Sequence, residues 1–143
     1  MEQKAVLIGA TGLIGSHFLD GLKDDDDLQI RAITRRKIDH LEQKGFIGQS
    51  VYDFKDLEAI RSVLKTDILI STFGTTIRNA GSQDEFVRVD HDIPLEISKM
   101  AKEEGCKTMI LVSSVGADSD SKYFYTRMKG LLEEAIKDLE FET

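Results

Sequence analysis

The chain has 143 residues, enough for one domain with a real core but not for two. Its 41% hydrophobic and 31% charged residues describe an ordinary soluble globular protein. The net charge of −7 excludes nucleic acid and anionic membranes as main partners, because both demand a basic face, and leaves only a local basic site for a small anion.

Taken in chain order, residues 5–8 read as a buried strand and 13–22 as an amphipathic helix. The run 24-DDDD-27 is a solvated turn before a second strand, 28-LQIRAIT-34. A third short strand is expected over 46–51 and a helix over 56–65, then a fourth strand, 67-DILIST-72. Residues 83–104 are mostly helical, with Pro94 predicting a kink or a restart. The fifth strand is 107-KTMILVSS-114, and a long helix covers 121–139. Continuous apolar strands alternating with amphipathic helices predict an α/β fold: a doubly wound parallel sheet of the Rossmann type, in three αβα layers, with 1–143 as one domain. The chain stops at 141-FET-143, where a sixth strand would be starting, so a truncated chain lacking a C-terminal substrate-binding part is expected.

The one cysteine, Cys106, cannot form an internal disulfide and is expected to be buried at the start of a strand. There is no signal-peptide pattern and no apolar run near the roughly 18 residues of a membrane helix. Together these place the protein in the cytoplasm, away from membranes. His17, His40 and His91 show no metal-ligand spacing, so no metal is expected.

Between the first strand and the first helix lies 9-GATGLIG-15. In that context Gly9 permits a tight turn, Gly12 lets the backbone approach a pyrophosphate, and Gly15 lets the helix pack close to the strand. The amides of Thr11, Gly12, Leu13 and Ile14 would meet the phosphates at the positive end of the helix. An NAD binder places an acid roughly 20 residues beyond the glycines, at the end of the second strand. Here 34-TRRK-37 has none, and Arg35 and Arg36 offer guanidinium forks suited to a 2′-phosphate. NADP(H) is therefore the preferred cofactor, with NAD(H) as the alternative.

With 111-LVSSVGAD-118 and 125-YTRMKG-130, these motifs resemble the short-chain dehydrogenase/reductase superfamily in its extended or atypical branch. The sequence is most similar to NADPH-binding oxidoreductases related to the HIV Tat-interacting protein, and more distantly to sugar-nucleotide epimerases and NmrA-like regulators. The resemblance implies that Asp53 in 51-VYDF-54 contacts the adenine amino group with Phe54 beside it; an N-cap or turn aspartate is the competing role. It also implies that Gly74, in 72-TFGTT-76, allows close approach to the cofactor's ribose and pyrophosphate, against a simple turn glycine. Arg78 is either a phosphate or substrate contact or an exposed arginine.

Tyr125 and Lys129 are four residues apart, so a helix puts both on one face. A free phenol ionises near ~10, and a nearby ammonium favours its phenolate. Tyr125 is thus the expected acid–base group, with Lys129 tuning it and, as the resemblance implies, bonding the nicotinamide ribose. A serine at the end of the fifth strand would hold the carbonyl oxygen. Strand alternation allows only one of the adjacent pair to face the cleft; the resemblance, in which the serine is usually the second of such a pair, implies Ser114, with Ser113 as the alternate. Tyr123, on another helical face, is expected to pack or lie at the surface.

The expected activity is NADP(H)-dependent hydride transfer to or from a small carbonyl or alcohol, with a homodimer left open. The competing readings are a non-catalytic dinucleotide-sensing regulator and a nucleotide-sugar epimerase or dehydratase.

Overall fold

Five short strands pair side by side in the computed structural model, which describes residues 3–22, 27–38, 47–74 and 77–143. They are β1 (Gln3–Ile8), β2 (Leu28–Thr34), β3 (Ile47–Val51), β4 (Ile68–Ser71) and β5 (Thr108–Leu111). All neighbours are parallel, in the order β3-β2-β1-β4-β5. Side chains alternate between the faces of a strand, and the core divides accordingly. Val6 and Ile8 of β1, Ile33 of β2 and Leu69 of β4 share one layer with Ile60, Leu64, Ile93 and Ile97. Ala5 and Leu7, Ile30 and Ala32, and Ile70 share the other with Leu19 of α1 (Leu13–Leu22). The α/β doubly wound architecture expected from the alternation is the architecture found.

One helical segment departs from expectation, and a second restarts beside Pro94 as expected. The stretch after β3 is a 3-10 helix, Leu57–Val63, rather than an α-helix. A 3-10 helix rises ~2.0 Å per residue against ~1.5 Å, so a short connection covers more of the distance from the edge strand β3 to β4. The long helix over 83–104 is divided into α3 (Gln83–Val87), a π-helical turn (Arg88–Asp92) and α4 (Ile93–Glu103), and a short α2 (Ile77–Ala80) precedes it. Pro94 explains the division. Its ring would collide with the carbonyl of residue 90 in a regular helix, and it has no N–H to donate. Asp90, in the middle of the π turn, is fully buried.

The last helix, α5 (Phe124–Asp138), starts three residues later than expected and lies beside α4. Glu140 then takes a left-handed φ of 57°, with its carbonyl bonded by Lys102. The chain turns back so that Thr143 accepts from the Met109 amide at 2.9 Å and donates to the Lys107 carbonyl at 3.2 Å, one rung of a parallel pairing along β5. Cys106 is buried just ahead of β5, and burial pushes its thiol up, which makes it inert. His40, Phe46, Thr75, Thr76 and residues 24–26 of the acidic run lie outside the described residues.

Candidate nucleotide-binding and acid–base site

In a parallel sheet every strand ends on the same side, and the sequence motifs follow those ends. At the end of β1, Gly9 has φ +93°, and a Cβ there would lie 2.6 Å from the Phe73 nitrogen and from the Thr72 hydroxyl. A Cβ on Gly15 would overlap the Gly9 carbonyl oxygen and lie 2.7 Å from Thr72 Oγ1. Thr72 Oγ1 donates to the Ile8 and Gly9 carbonyls, so β4 braces the turn. Gly12 differs: its amide bonds the Gly9 carbonyl at 3.1 Å, but a Cβ would make only an ordinary 3.4 Å contact. Packing therefore accounts for Gly9 and Gly15 and leaves the third glycine without a packing reason. Thr11, Gly12, Leu13 and Ile14 are exposed at the start of α1, whose first-turn amides have no intrahelical acceptor. This cradle fits a dinucleotide pyrophosphate.

Beside it, Arg35 and Arg36 are exposed directly beyond β2. Asp53 accepts from the Lys55 amide at 2.9 Å, the geometry of a turn aspartate. Phe54 is a core residue, 6% exposed, with its ring 5.1 Å from Phe73. It supports the wall behind Asp53 with its side chain turned inward. Arg78 is exposed on α2, His17 is exposed on α1, and His91 Nδ1 lies 2.8 Å from Asp92 Oδ1. Among the described residues no group of His, Cys, Asp or Glu side chains is placed to hold a metal ion.

The structure brings Tyr125 and Lys129 onto one face of α5, with Lys129 Nζ 5.5 Å from the Tyr125 ring centroid. The Tyr125 ring leans on buried Phe86 at 5.7 Å, while 39% of the residue stays exposed. The sequence reading missed Lys129's partner. Asp90 Oδ1 accepts from Lys129 Nζ at 2.7 Å, with Asp90 fully buried and Lys129 only 7% exposed. The ammonium beside the phenol is thus half of an ion pair. Gly74 makes room for it: a Cβ there would sit 2.8 Å from Asp90 Oδ1 and 3.3 Å from Lys129 Nζ. Pro94, four residues beyond Asp90, was the only sequence signal that this helix turn is special.

Ser113 and Ser114 lie past the end of β5, so strand alternation does not choose between them. Both hydroxyls are buried without a hydrogen-bond partner among the described residues. Tyr123 is exposed, with Lys122 Nζ 5.2 Å from its ring centroid.

A family model described as NAD(P)H-binding matches residues 9–140, and the chain belongs to that family. Among curated relatives, "Protein FMP52, mitochondrial" of Meyerozyma guilliermondii is 37% identical over 141 residues, covering 96% of this chain and 60% of the relative. The protein of the same name from Saccharomyces cerevisiae is 33% identical over 139 residues, with the same shares. The chain thus spans about 60% of the length of these relatives. Among solved structures, Pen from Bacillus thuringiensis superposes with a TM-score of 0.82 at 18% identity, covering 98% of this chain and 46% of its own. A UDP-glucose 4-epimerase from Thermotoga maritima, solved with UDP-glucose, gives 0.78 at 15%, covering 96% and 52%. These neighbours share the fold. The cytoplasmic expectation is overturned, because relatives from four fungi are designated mitochondrial. Absence of a leader pattern or of a disulfide reports on redox compartment and export, and says nothing against a mitochondrial address. Among the described residues no helix is long and apolar enough to cross a membrane.

Proposed function

We propose that this chain carries the nucleotide site and the acid–base residues of an NADP(H)-dependent oxidoreductase of the short-chain dehydrogenase/reductase type, acting on a small carbonyl or alcohol. The observation that carries the reading is the pair of buried, unbonded serine hydroxyls at the end of β5. They lie on the same side of the sheet as the glycine cradle. An unmet buried hydroxyl costs about 1–3 kcal/mol, a cost that is recovered when a ligand oxygen bonds it.

The bound nucleotide supplies or accepts the hydride. Ser114, with Ser113 as its alternate, holds the carbonyl oxygen, and Tyr125 gives that oxygen its proton or takes one back. Lys129 holds its ammonium beside the phenol and toward the nucleotide ribose, and Asp90 keeps the ammonium in place before any ligand arrives. Gly9, Thr11, Gly12, Leu13, Ile14 and Gly15 form the phosphate cradle. Arg35 and Arg36 take the 2′-phosphate, Asp53 and Phe54 form the adenine wall, and Gly74 lines the ribose side. The mitochondrial designation of the relatives makes that compartment the one to test, by fractionation of cells expressing the protein.

Fluorescence titration with NADPH and NADH tests the cofactor. NADPH should bind about tenfold or more tightly, since a charge-assisted bidentate contact is worth more than ~1.4 kcal/mol. Equal affinity would remove the arginine assignment, and no binding of either would remove the function. In the full-length protein, Tyr125→Phe should lower turnover by about 10²–10⁴-fold with nucleotide affinity unchanged.

A further inference from the structure

Helix α5 bears two neighbouring stripes. Tyr125 and Lys129 form one, facing Phe86 and Asp90. The other, one residue on, is Thr126, Gly130 and Glu134, and all three meet the loop that follows Ser114. The Asp118 amide donates to the Thr126 carbonyl at 3.0 Å, and Ser121 Oγ lies 2.6 Å from Thr126 Oγ1. Ser119 Oγ donates to Glu134. Between them a Cβ on Gly130 would overlap the Ser119 nitrogen and the Asp118 carbonyl carbon, and would lie 2.7 Å from Asp118 Cα. The loop backbone therefore rests directly on the helix at Gly130.

That contact reaches the serines through a short chain of turns. The Ala117 amide donates to the Ser114 carbonyl at 3.2 Å, and Ser121 donates back to Asp118 at 2.9 Å. Ser114 is thus tied to Ala117 by one turn, and Asp118, the next residue, is held to the helix at Gly130 and Thr126. A glycine inside a helix is otherwise a liability relative to alanine, and this packing gives it a reason.

We propose that Gly130 and Thr126 are positioning residues that set the serine-bearing loop in register with the Tyr125–Lys129 face, so that hydroxyl and phenol meet on one oxygen. The inference rests on the proposed oxidoreductase reading for its effect on turnover, while the docking itself does not.

The test is Gly130→Ala in the full-length protein, with thermal melting, hydrogen exchange, NADPH titration and reduction of phenanthrenequinone as the carbonyl probe. Helix propensity by itself predicts a higher melting temperature. Docking predicts a lower one, with exchange at the Asp118 amide faster by about tenfold or more. The NADPH dissociation constant should stay within about threefold, because Gly130 meets the Asp118–Ser119 backbone and not the Gly9–Gly15 turn, while kcat falls by about tenfold or more. A raised melting temperature, unchanged Asp118 exchange, or unchanged kcat with a released loop each overturns the proposal. Should Gly130→Ala fail to fold, Thr126→Val and Ser121→Ala decide as separate variants: the first removes the Ser121 bond and the local bond to the Tyr123 carbonyl, the second spares the Tyr123 carbonyl bond, and faster Asp118 exchange in both supports docking while unchanged exchange in either overturns it. Tyr125→Phe separates the two readings. If it leaves turnover intact the chemistry is wrong, and the exchange result still decides the docking.

Discussion

The β1–α1 turn and the β5–α5 region each follow the end of a strand of the same parallel sheet, yet they are built in opposite ways. The turn is local: Gly9, Gly12 and Gly15 lie within seven residues, and each touches its own neighbourhood or the adjacent strand. The β5–α5 region is assembled from distant pieces. Lys129 meets Asp90 from the π turn, 39 residues earlier, and both press on Gly74 beyond β4. The comparison teaches that a motif which is its own context can be read directly, whereas a motif completed elsewhere shows only one of its halves.

Substitutions at the glycines and the ion pair can break this contrast. The largest effect is expected for Gly15→Ala, whose methyl would overlap the Gly9 carbonyl. Neither backbone can withdraw, so a loss of at least about 3 kcal/mol, read by urea denaturation, is expected. A variant of native stability would mean that the helix is free to slide away from the strand.

Asp90→Ala comes next. It leaves the Lys129 ammonium buried without its carboxylate, at a cost of about 3–5 kcal/mol. Replacing both partners, as Asp90→Leu with Lys129→Met, should recover most of that stability and none of the turnover. If the single and double variants were equally unstable, the pair would not be the cause.

Gly74→Ala should lose about 1–3 kcal/mol, because its methyl sits against Asp90 Oδ1 and Lys129 Nζ. In the Asp90→Leu/Lys129→Met background its cost should change, and strict additivity by double-mutant cycle would separate Gly74 from the pair.

The smallest stability effect, about 1 kcal/mol or less, is expected for Gly12→Ala, since its Cβ meets only an ordinary contact. The same substitution should weaken NADPH binding by about tenfold or more if the backbone must approach a pyrophosphate there. Gly12 and Gly15 would then separate binding from packing within one turn.

Much of the fold was legible beforehand. A strand run such as 5-AVLI-8 is apolar throughout because both faces are covered, and that pattern is local. Pro94 announced a break in the helix, since its missing N–H is a covalent fact, but not that the break would be a π turn carrying a buried aspartate. The choice between Ser113 and Ser114 could not be read, because β5 ends at Leu111 and the period of two ends with it. That Asp53 accepts from the Lys55 amide was one of two roles its sequence position allowed, because a turn bond and a ligand contact ask for the same residue type.

Composition, strand–helix alternation and the glycine spacing by themselves determined the layered parallel sheet and the tight glycine turn after β1, because those depend on burial and backbone freedom within a few residues. Only the tertiary structure decided that Lys129 pairs with Asp90, that Gly74 leaves room for that pair, and that the loop after Ser114 rests on the helix at Gly130. Each is a contact between segments distant in sequence, and such contacts leave no periodicity to read.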